Sequence, residues 1–260
     1  MKPAKKSPKN FSFPKLKTHN LQLITLKKML FLLPAYLSEN TSISHFSPVI
    51  KDYIMQTDYF FVENEKTARK VVKFFAPEKK QSDLKLFLLD KYTENADIKE
   101  AQDRMLNGQD FGLLSEAGLP CIADPGNLIV KWCHEKNIRV IPISGPSSII
   151  LALISSGFNG QEFTFNGYLP IDKSEKKKQI MHLESMVQKT GYSQIFMETP
   201  YRNNVLFEDL TKFLSPNTKL CIAANINDPE HELIKTKTIK EWQKNKPELH
   251  KVPAVFVLGK

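Results

Sequence analysis

The chain has 260 residues, of which 41% are hydrophobic and 25% charged, an ordinary composition for a globular protein. This length accommodates one large domain or two domains of ordinary size. The formal net charge of +9 at pH 7 suits a polyanionic partner, and the lack of a long apolar run argues against a membrane span.

The positive charge is concentrated in residues 1–28, which contain many lysines and neither aspartate nor glutamate. The segment has no hydrophobic periodicity and no signal-peptide pattern, so we expect a disordered basic arm. Two interpretations of this arm stay open. It contacts a polyanion such as RNA, or it is sequence upstream of a true start at Met29.

Short apolar strands alternate with amphipathic helices in the first half of the chain, the pattern of an α/β domain. The predicted strands are 29–33, 59–63, 85–89, 111–114 and 138–143, and the predicted helices are 47–56, 65–75, 96–106 and 125–135. Asp124 is placed to cap the last helix, because a carboxylate accepts unpaired amides and Pro125 fits a first turn.

A similar alternation follows in the second half, which predicts a second domain and a boundary between residues 143 and 144. The predicted strands are 162–166, 193–197, 219–224, 232–238 and 253–258, and the predicted helices are 147–156, 174–188, 200–214 and 239–244. We therefore predict α/β domains at 29–143 and 144–260, with mixed, mostly parallel sheets.

Two bends of small residues follow predicted strands, at 115–118 and at 144–148. In an open α/β sheet, the carboxyl ends of parallel strands and the N-termini of the next helices face one crevice, where ligands bind. The bends are expected to present backbone amides to that crevice. The alternative, that both are merely efficient turns, has equal weight on spacing alone.

The three cysteines, Cys121, Cys133 and Cys221, are odd in number and far apart. Their spacing predicts neither a disulfide framework nor a zinc site, and it suits a reducing cytoplasm. The six histidines show no ligand spacing, so we predict no metal. Lysines 173 and 176–178 form either a solvated helix face or an edge that contacts phosphates.

Five motifs occur in order along the chain, at 115–120, 124–126, 144–146, 165–170 and 198–202. They resemble S-D-A-G-x-P, D-P-G, P-G-P, F-x-G-F-L-P and E-[ST]-P-x-R of the tetrapyrrole-methylase-like superfamily, the class III S-adenosylmethionine (SAM) methyltransferases. The resemblance is greatest to the branch of ribosomal-RNA small-subunit ribose 2′-O-methyltransferases. It covers about residues 29 to 260.

The chain departs from the pattern of that branch at three places. The turn after the first strand, within 31–40, keeps Pro34 but has no glycine. Residues 63–66 keep only Glu63 of an acidic E-D-T-R turn, and residues 224–228 replace R-E-L-T-K. The motifs that the family uses for its cofactor are therefore kept better than those that it uses for its nucleic-acid substrate.

The resemblance implies two α/β domains with SAM in the cleft between them, a homodimer, and methyl transfer to a ribose 2′-hydroxyl of small-subunit ribosomal RNA. The residues implied for SAM are Pro34, Ser115, Glu116, Ala117, Gly118, Asp124, Pro125, Gly126, Pro146, Ser147, Ser148, Gly167, Tyr168, Leu169 and Pro170.

A hydroxyl acceptor needs a group that takes its proton, for which Glu116 and Glu63 are the candidates. Glu198 is expected to anchor its turn together with Arg202. Two alternatives stay open. The protein methylates a tetrapyrrole or another small molecule, or it binds SAM or RNA without turnover.

Overall fold

The computed structural model describes residues 28–89 and 96–260. The predicted basic arm lies outside the described residues except for Lys28. The strands are β1 (Met29–Leu33), β2 (Tyr59–Val62), β3 (Lys85–Leu88), β4 (Phe111–Leu114), β5 (Arg139–Pro142), β6 (Phe163–Tyr168), β7 (Ser193–Met197), β8 (Lys219–Ala224), β9 (Leu233–Thr238) and β10 (Ala254–Gly259). The helices are α1 (Val49–Gln56), α2 (Glu65–Phe75), α3 (Ala96–Leu106), α4 (Gly126–Glu135), α5 (Ser148–Ser156), α6 (Lys173–Thr190), α7 (Asn203–Phe213) and α8 (Ile239–Lys244).

The N-terminal sheet has the order β3-β2-β4-β1-β5, and all four of its pairings are parallel. Its strands are rich in phenylalanine and leucine because helices cover both faces of the sheet. Phe31 and Leu33 pack with α1 and α2, whereas Leu30 packs with α3 and α4. The carboxyl ends of β2, β4, β1 and β5 therefore lie side by side at one edge.

The C-terminal sheet has the order β6-β7-β10-β8-β9. Its β6–β7 pairing is parallel, and the other three pairings are antiparallel. Across both sheets the described pairings are thus mostly parallel, as predicted. Helix α5 packs on one face around Ile149 and Val255, and α6, α7 and α8 pack on the other around Trp242 and Phe256.

Several element boundaries differ by a residue or two from the sequence-based expectation, and two of the differences bear on the shape of the predicted crevice. Helix α4 begins at Gly126 rather than at Pro125, because the Asp124 carboxylate accepts the amides of both Gly126 and Cys121, each at 2.8 Å. Asp124 thus closes a turn that precedes the helix. Strand β6 extends past the predicted end to Tyr168, with an irregularity in its pairing after Phe165.

The lysine cluster of α6 has a mixed role. Lys176 is buried, and its ammonium group pairs with the Asp209 carboxylate at 3.1 Å. Lys176 therefore belongs neither to a solvated helix face nor to an edge that contacts phosphates, because its side chain is part of the contact between α6 and α7. Lys173 and Lys178 are exposed.

Within the described ranges, no helix combines the length and apolar character needed to cross a bilayer.

Gly112 lies in the middle of β4, and a Cβ there would sit 2.6 Å from Phe60 Cδ1 and 2.9 Å from Leu33 Cδ1. We expect Gly112→Ala to lower the free energy of unfolding by about 1–3 kcal/mol, because these ring and methyl groups are already packed. Gly160→Ala is the matched control, since its Cβ would meet nothing within 4 Å. Urea titration of both variants measures the difference, and equal midpoints would contradict the packing.

Candidate functional site

A cavity of about 360 Å³ opens where loops of the N-terminal sheet face the C-terminal sheet. The N-terminal side contributes Leu37, Glu63, residues 115–119 and residues 122–124. The other side contributes residues 147–149, Tyr168, Met197, Glu198, Pro200, Ala223, Ile226 and residues 253–255. Small-molecule sites in proteins commonly have volumes of about 300–1,000 Å³, so this cleft can hold a compact ligand.

The two predicted bends touch each other at the floor of this cleft. Gly118 has a φ of 71°, and a Cβ there would lie 3.0 Å from the Pro146 carbonyl oxygen and 3.1 Å from Leu37 Cδ2. The Gly118 carbonyl accepts the Ala35 amide at 2.8 Å and the Ser115 hydroxyl at 3.1 Å. Only glycine suits this position, because it tolerates a left-handed backbone and leaves room for the second bend.

Pro34 and Gly145 form a second close contact behind the cleft wall. A Cβ on Gly145 would lie 2.2 Å from Pro34 Cβ, so the two turns pack with no space between them. Pro34 is buried and supports the wall instead of lining the cavity. The proline that the first turn keeps therefore has a packing role in this chain.

Carboxylates from two strand ends face the cleft. Glu63 follows β2, and its carboxylate accepts the amide of Glu116, which lies after β4, at 3.3 Å. Burial raises the pKa of Glu63, as do the negative charges of Asp124 and Glu116, although the Glu116 amide opposes this. Burial also raises the pKa of Asp124 against the hydrogen bonds from Gly126 and Cys121. Holding these charges costs free energy, which a bound cation would offset.

Tyr168 contributes a hydroxyl on the opposite wall. Burial raises its pKa first, and the charges of Glu198, Glu63 and Glu116 raise it further. The phenol therefore stays protonated near neutral pH and can donate a hydrogen bond. Tyr168 is half exposed and lines the cavity.

Glu198 has the contacts expected of an anchor. Its side chain is buried, and its Oε1 accepts Arg202 Nη2 at 2.6 Å and the Thr199 amide at 2.7 Å. The pair stabilises the turn between β7 and α7. Glu198 also lines the cavity, where its charge is paired with that of Arg202.

The cavity brings together about half of the residues that the sequence motifs imply. Those on its wall are Glu63, Ser115, Glu116, Ala117, Gly118, Asp124, Ser147, Ser148 and Tyr168. Those beside or behind it are Pro34, Pro125, Gly126, Pro146, Gly167, Leu169 and Pro170. Leu169, for example, is buried in the core between the C-terminal sheet and its helices.

The three cysteines are free thiols. Burial raises the pKa of Cys133 to about 12, and burial together with Asp124 does the same for Cys121. Among the residues that the structure describes, no group of three or more His, Cys, Asp or Glu side chains could hold a metal ion.

No family model matches the chain. A ribosomal RNA small subunit methyltransferase I from Vibrio cholerae is 27% identical over 175 residues, which cover 67% of this chain and 58% of that protein. The protein of the same name from Synechocystis is 38% identical over 128 residues, covering 49% and 44%. The one from Buchnera aphidicola of Acyrthosiphon pisum is 30% identical over 175 residues, covering 66% and 61%. The alignments thus span less than two thirds of these relatives' own length.

The fold also matches a solved structure, the uroporphyrin-III-C-methyltransferase of Thermus thermophilus. The match covers 90% of this chain and 94% of that chain, with a TM-score of 0.53 and 15% identity. The chain therefore shares the fold of that methyltransferase. In sequence it is similar to the ribosomal RNA small subunit methyltransferase I proteins.

The sequence missed the apolar part of the cleft. Met197, Ala223 and Val255 come from strand ends of the C-terminal sheet. Antiparallel strands place alternate ends at one edge, so the strand order is needed to know which ends meet the cleft. The sequence motifs also do not identify Leu37 and Ile226 as cleft residues, although both lie inside the segments where the chain departs from the family pattern.

The raised pKa of Glu63 gives a stability test. Because the carboxyl is harder to ionise in the folded chain, wild-type protein loses stability as the pH rises through the unfolded pKa of about 4.3 toward the folded value. We expect Glu63→Gln to have a higher Tm than wild type at pH 7 and the same Tm below pH 4. A lower Tm at pH 7 with unchanged Tm at pH 4 would show that ionised Glu63 is stabilising.

Proposed function

We propose that this protein is a SAM-dependent methyltransferase that transfers a methyl group to a ribose 2′-hydroxyl of small-subunit ribosomal RNA. The observation that carries the proposal is the contact of the two bends at Gly118 and Pro146, which forms the floor of a carboxylate-lined cleft. The shared fold and the names of the relatives support the same activity.

The chemistry of the cleft fits SAM. Its wall contains Glu63, Glu116, Asp124 and Glu198, and no lysine or arginine of the described chain lines it. This excess of carboxylates suits the positive sulfonium and ammonium groups of the cofactor. Apolar residues of the wall, among them Ile149 and Val255, suit a flat nucleoside base.

We propose that the wall residues implied by the motifs contact SAM and that the residues behind them hold the wall in shape. The proposed contacts are Ser115, Glu116, Ala117, Gly118, Asp124, Ser147, Ser148 and Tyr168, and the proposed supports are Pro34, Pro125, Gly126, Pro146, Gly167, Leu169 and Pro170. Ser147 caps α5 through its hydroxyl, so its role toward a ligand falls to the backbone of that turn.

SAM supplies an already activated methyl group, so the protein must mainly align the acceptor and exclude water. The raised pKa of Glu63 makes its carboxylate the better placed of the two candidates to take the acceptor proton, with Glu116 as the second. The protonated hydroxyl of Tyr168 can donate a hydrogen bond that orients either carboxylate or the acceptor. These roles assign proton movement to side chains already on the wall.

A basic helix face beside the cleft supports a polyanionic acceptor. Helix α2 begins two residues after Glu63 and presents Lys66, Arg69, Lys70 and Lys73 along one shallow groove. Lys66 and Lys73 are exposed, whereas Lys70 pairs with Glu39. Phosphates of the acceptor can bind to this basic groove, while the acidic cleft binds the positively charged cofactor. The two opposite charges therefore occupy separate sites.

We also propose that the protein is a cytoplasmic homodimer. Ile150 and Ile154 lie one turn apart on α5, and Ile154 is 70% exposed. A second copy of the chain would remove these side chains from water, and sedimentation equilibrium measures whether one does. The free thiols at Cys121, Cys133 and Cys221 suit a reducing compartment.

The cofactor site is tested by substitutions in the two bends. We expect Gly118→Val and Pro146→Leu each to raise the Kd for SAM at least about tenfold, a loss of roughly 1.4 kcal/mol, while the protein stays folded. Gly118→Val places a side chain against the Pro146 carbonyl. Isothermal titration calorimetry gives the Kd, and circular dichroism checks the fold.

Gly191→Val is the matched control for the backbone effect. Gly191 also has a left-handed φ, of 77°, but its Cβ would meet nothing within 4 Å and it caps α6 away from the cleft. We expect wild-type SAM affinity in this variant. Unchanged affinity in both bend variants would count against this placement of the cofactor.

The acceptor is tested with SAM that carries a labelled methyl group. We expect label in small-subunit ribosomal RNA, either free or within assembled subunits, and its position on ribose identified by resistance of the adjoining bond to alkaline hydrolysis. Transfer to a porphyrinoid in place of RNA would favour a small-molecule methyltransferase. SAM binding without any transfer would favour a binding protein that has lost turnover.

A further inference from the structure

Two segments that depart from the family pattern contact each other in the fold. Residues 37–41 lie at the end of the glycine-free segment after β1, and residues 225–232 form the loop after β8, whose first part belongs to the 224–228 stretch that replaces R-E-L-T-K. Ser38 Oγ donates to Asp228 Oδ2 at 2.9 Å, and Asn40 Nδ2 donates to the same oxygen at 3.0 Å. Thr41 Oγ1 donates to the Asn227 carbonyl at 3.1 Å.

Asp228 is the centre of this contact. While its Oδ2 binds Ser38 and Asn40, its Oδ1 accepts the amides of Glu230 and His231, both at 3.1 Å. The side chain of His231 lies 3.2 Å from the same oxygen. One buried carboxylate thus joins the N-terminal loop to the C-terminal loop and also shapes the latter.

The contact is coupled to the walls of the cleft through the neighbouring residues. Leu37, next to Ser38, lines the cavity and packs into the core formed by α5 and the C-terminal sheet. Ile226, two residues before Asp228, lines the cavity from the other side and belongs to the same core. Leu37 also lies against Gly118, so movement of this loop would reach the floor of the site.

We propose that Asp228 is a positioning residue that sets the separation of the two cleft walls, through the latch formed by Ser38, Asn40, Thr41 and Asn227. The proposal rests on the proposed methyl transfer, because alignment across the cleft is what the latch would serve. Asp228 itself lies outside the cavity lining and touches no reacting atom. Its effect is on how well the walls hold the cofactor and acceptor in line.

Both carboxylate oxygens are needed for this role. Each oxygen of Asp228 accepts at least two hydrogen bonds. The backbone amides of Glu230 and His231 can only donate, so an asparagine would keep its oxygen toward them and turn its NH₂ group toward Ser38 and Asn40. Asp228→Asn therefore removes the charge-assisted bonds of the latch and sets an NH₂ group against the Asn40 donor, with almost no change in shape.

The test compares Asp228→Asn with Asp172→Asn in the full chain. Asp172 also accepts two backbone amides, those of Ser174 and Glu175, but it caps α6 and lies outside the cleft. We expect Asp228→Asn to lower kcat at least about tenfold with KM for the RNA changed less than twofold, and Asp172→Asn to leave both at wild type. Ser38→Ala/Asn40→Ala should reproduce the loss from the other side of the latch.

Two measurements keep this test separate from the proposed activity. We expect Asp228→Asn to weaken SAM binding at least threefold in calorimetry, and to speed amide hydrogen exchange in residues 36–41 and 226–231 while β1 and β8 keep wild-type exchange. If wild-type protein transfers no methyl group, the proposed function fails and these two readouts still judge the latch. Wild-type SAM affinity and exchange in Asp228→Asn would overturn it.

Discussion

The close approach of the 115–118 bend to Pro146 is the contact on which the rest of the site depends. Strands β4 and β5 flank β1 in a parallel sheet, so the turns after all three strands meet at one edge. Gly118 lets the first bend reach the Pro146 carbonyl, and Gly145 lets the third turn close on Pro34. Because Gly118 meets the Pro146 backbone and Gly145 meets the Pro34 ring, a side chain at either glycine would push these turns apart.

Acidic and basic side chains lie at different depths around this edge of the N-terminal sheet. Four carboxylates face the cavity, and burial makes Glu63 and Asp124 harder to ionise there. The cations of α2 lie outside, along a helix that starts just beyond Glu63. This arrangement suits the proposed methyl transfer from a cationic cofactor to a polyanionic acceptor, since either charge placed at the other site would repel its ligand.

The departures from the family pattern are linked in space, although about 190 residues separate them in the chain. A glycine at position 38 or 40 would offer no side chain for Asp228 to bind. In this chain Ser38 and Asn40 supply hydrogen bonds, and Leu37 supplies an apolar contact to the other core. The changed loop after β8 supplies the matching carboxylate, so the two changes work as one contact.

The sequence by itself determined the elements and the position of the bends. Strands β1, β4 and β7 and helices α2 and α3 begin and end where the periodicity predicts, because those signals come from residues within a turn or two of each other. Only the tertiary structure decided that β10 lies between β7 and β8, that Met197 and Val255 reach the cleft, and that Asp228 binds Ser38. Those contacts join residues far apart in the chain, whose partners are selected by packing and not by any local pattern.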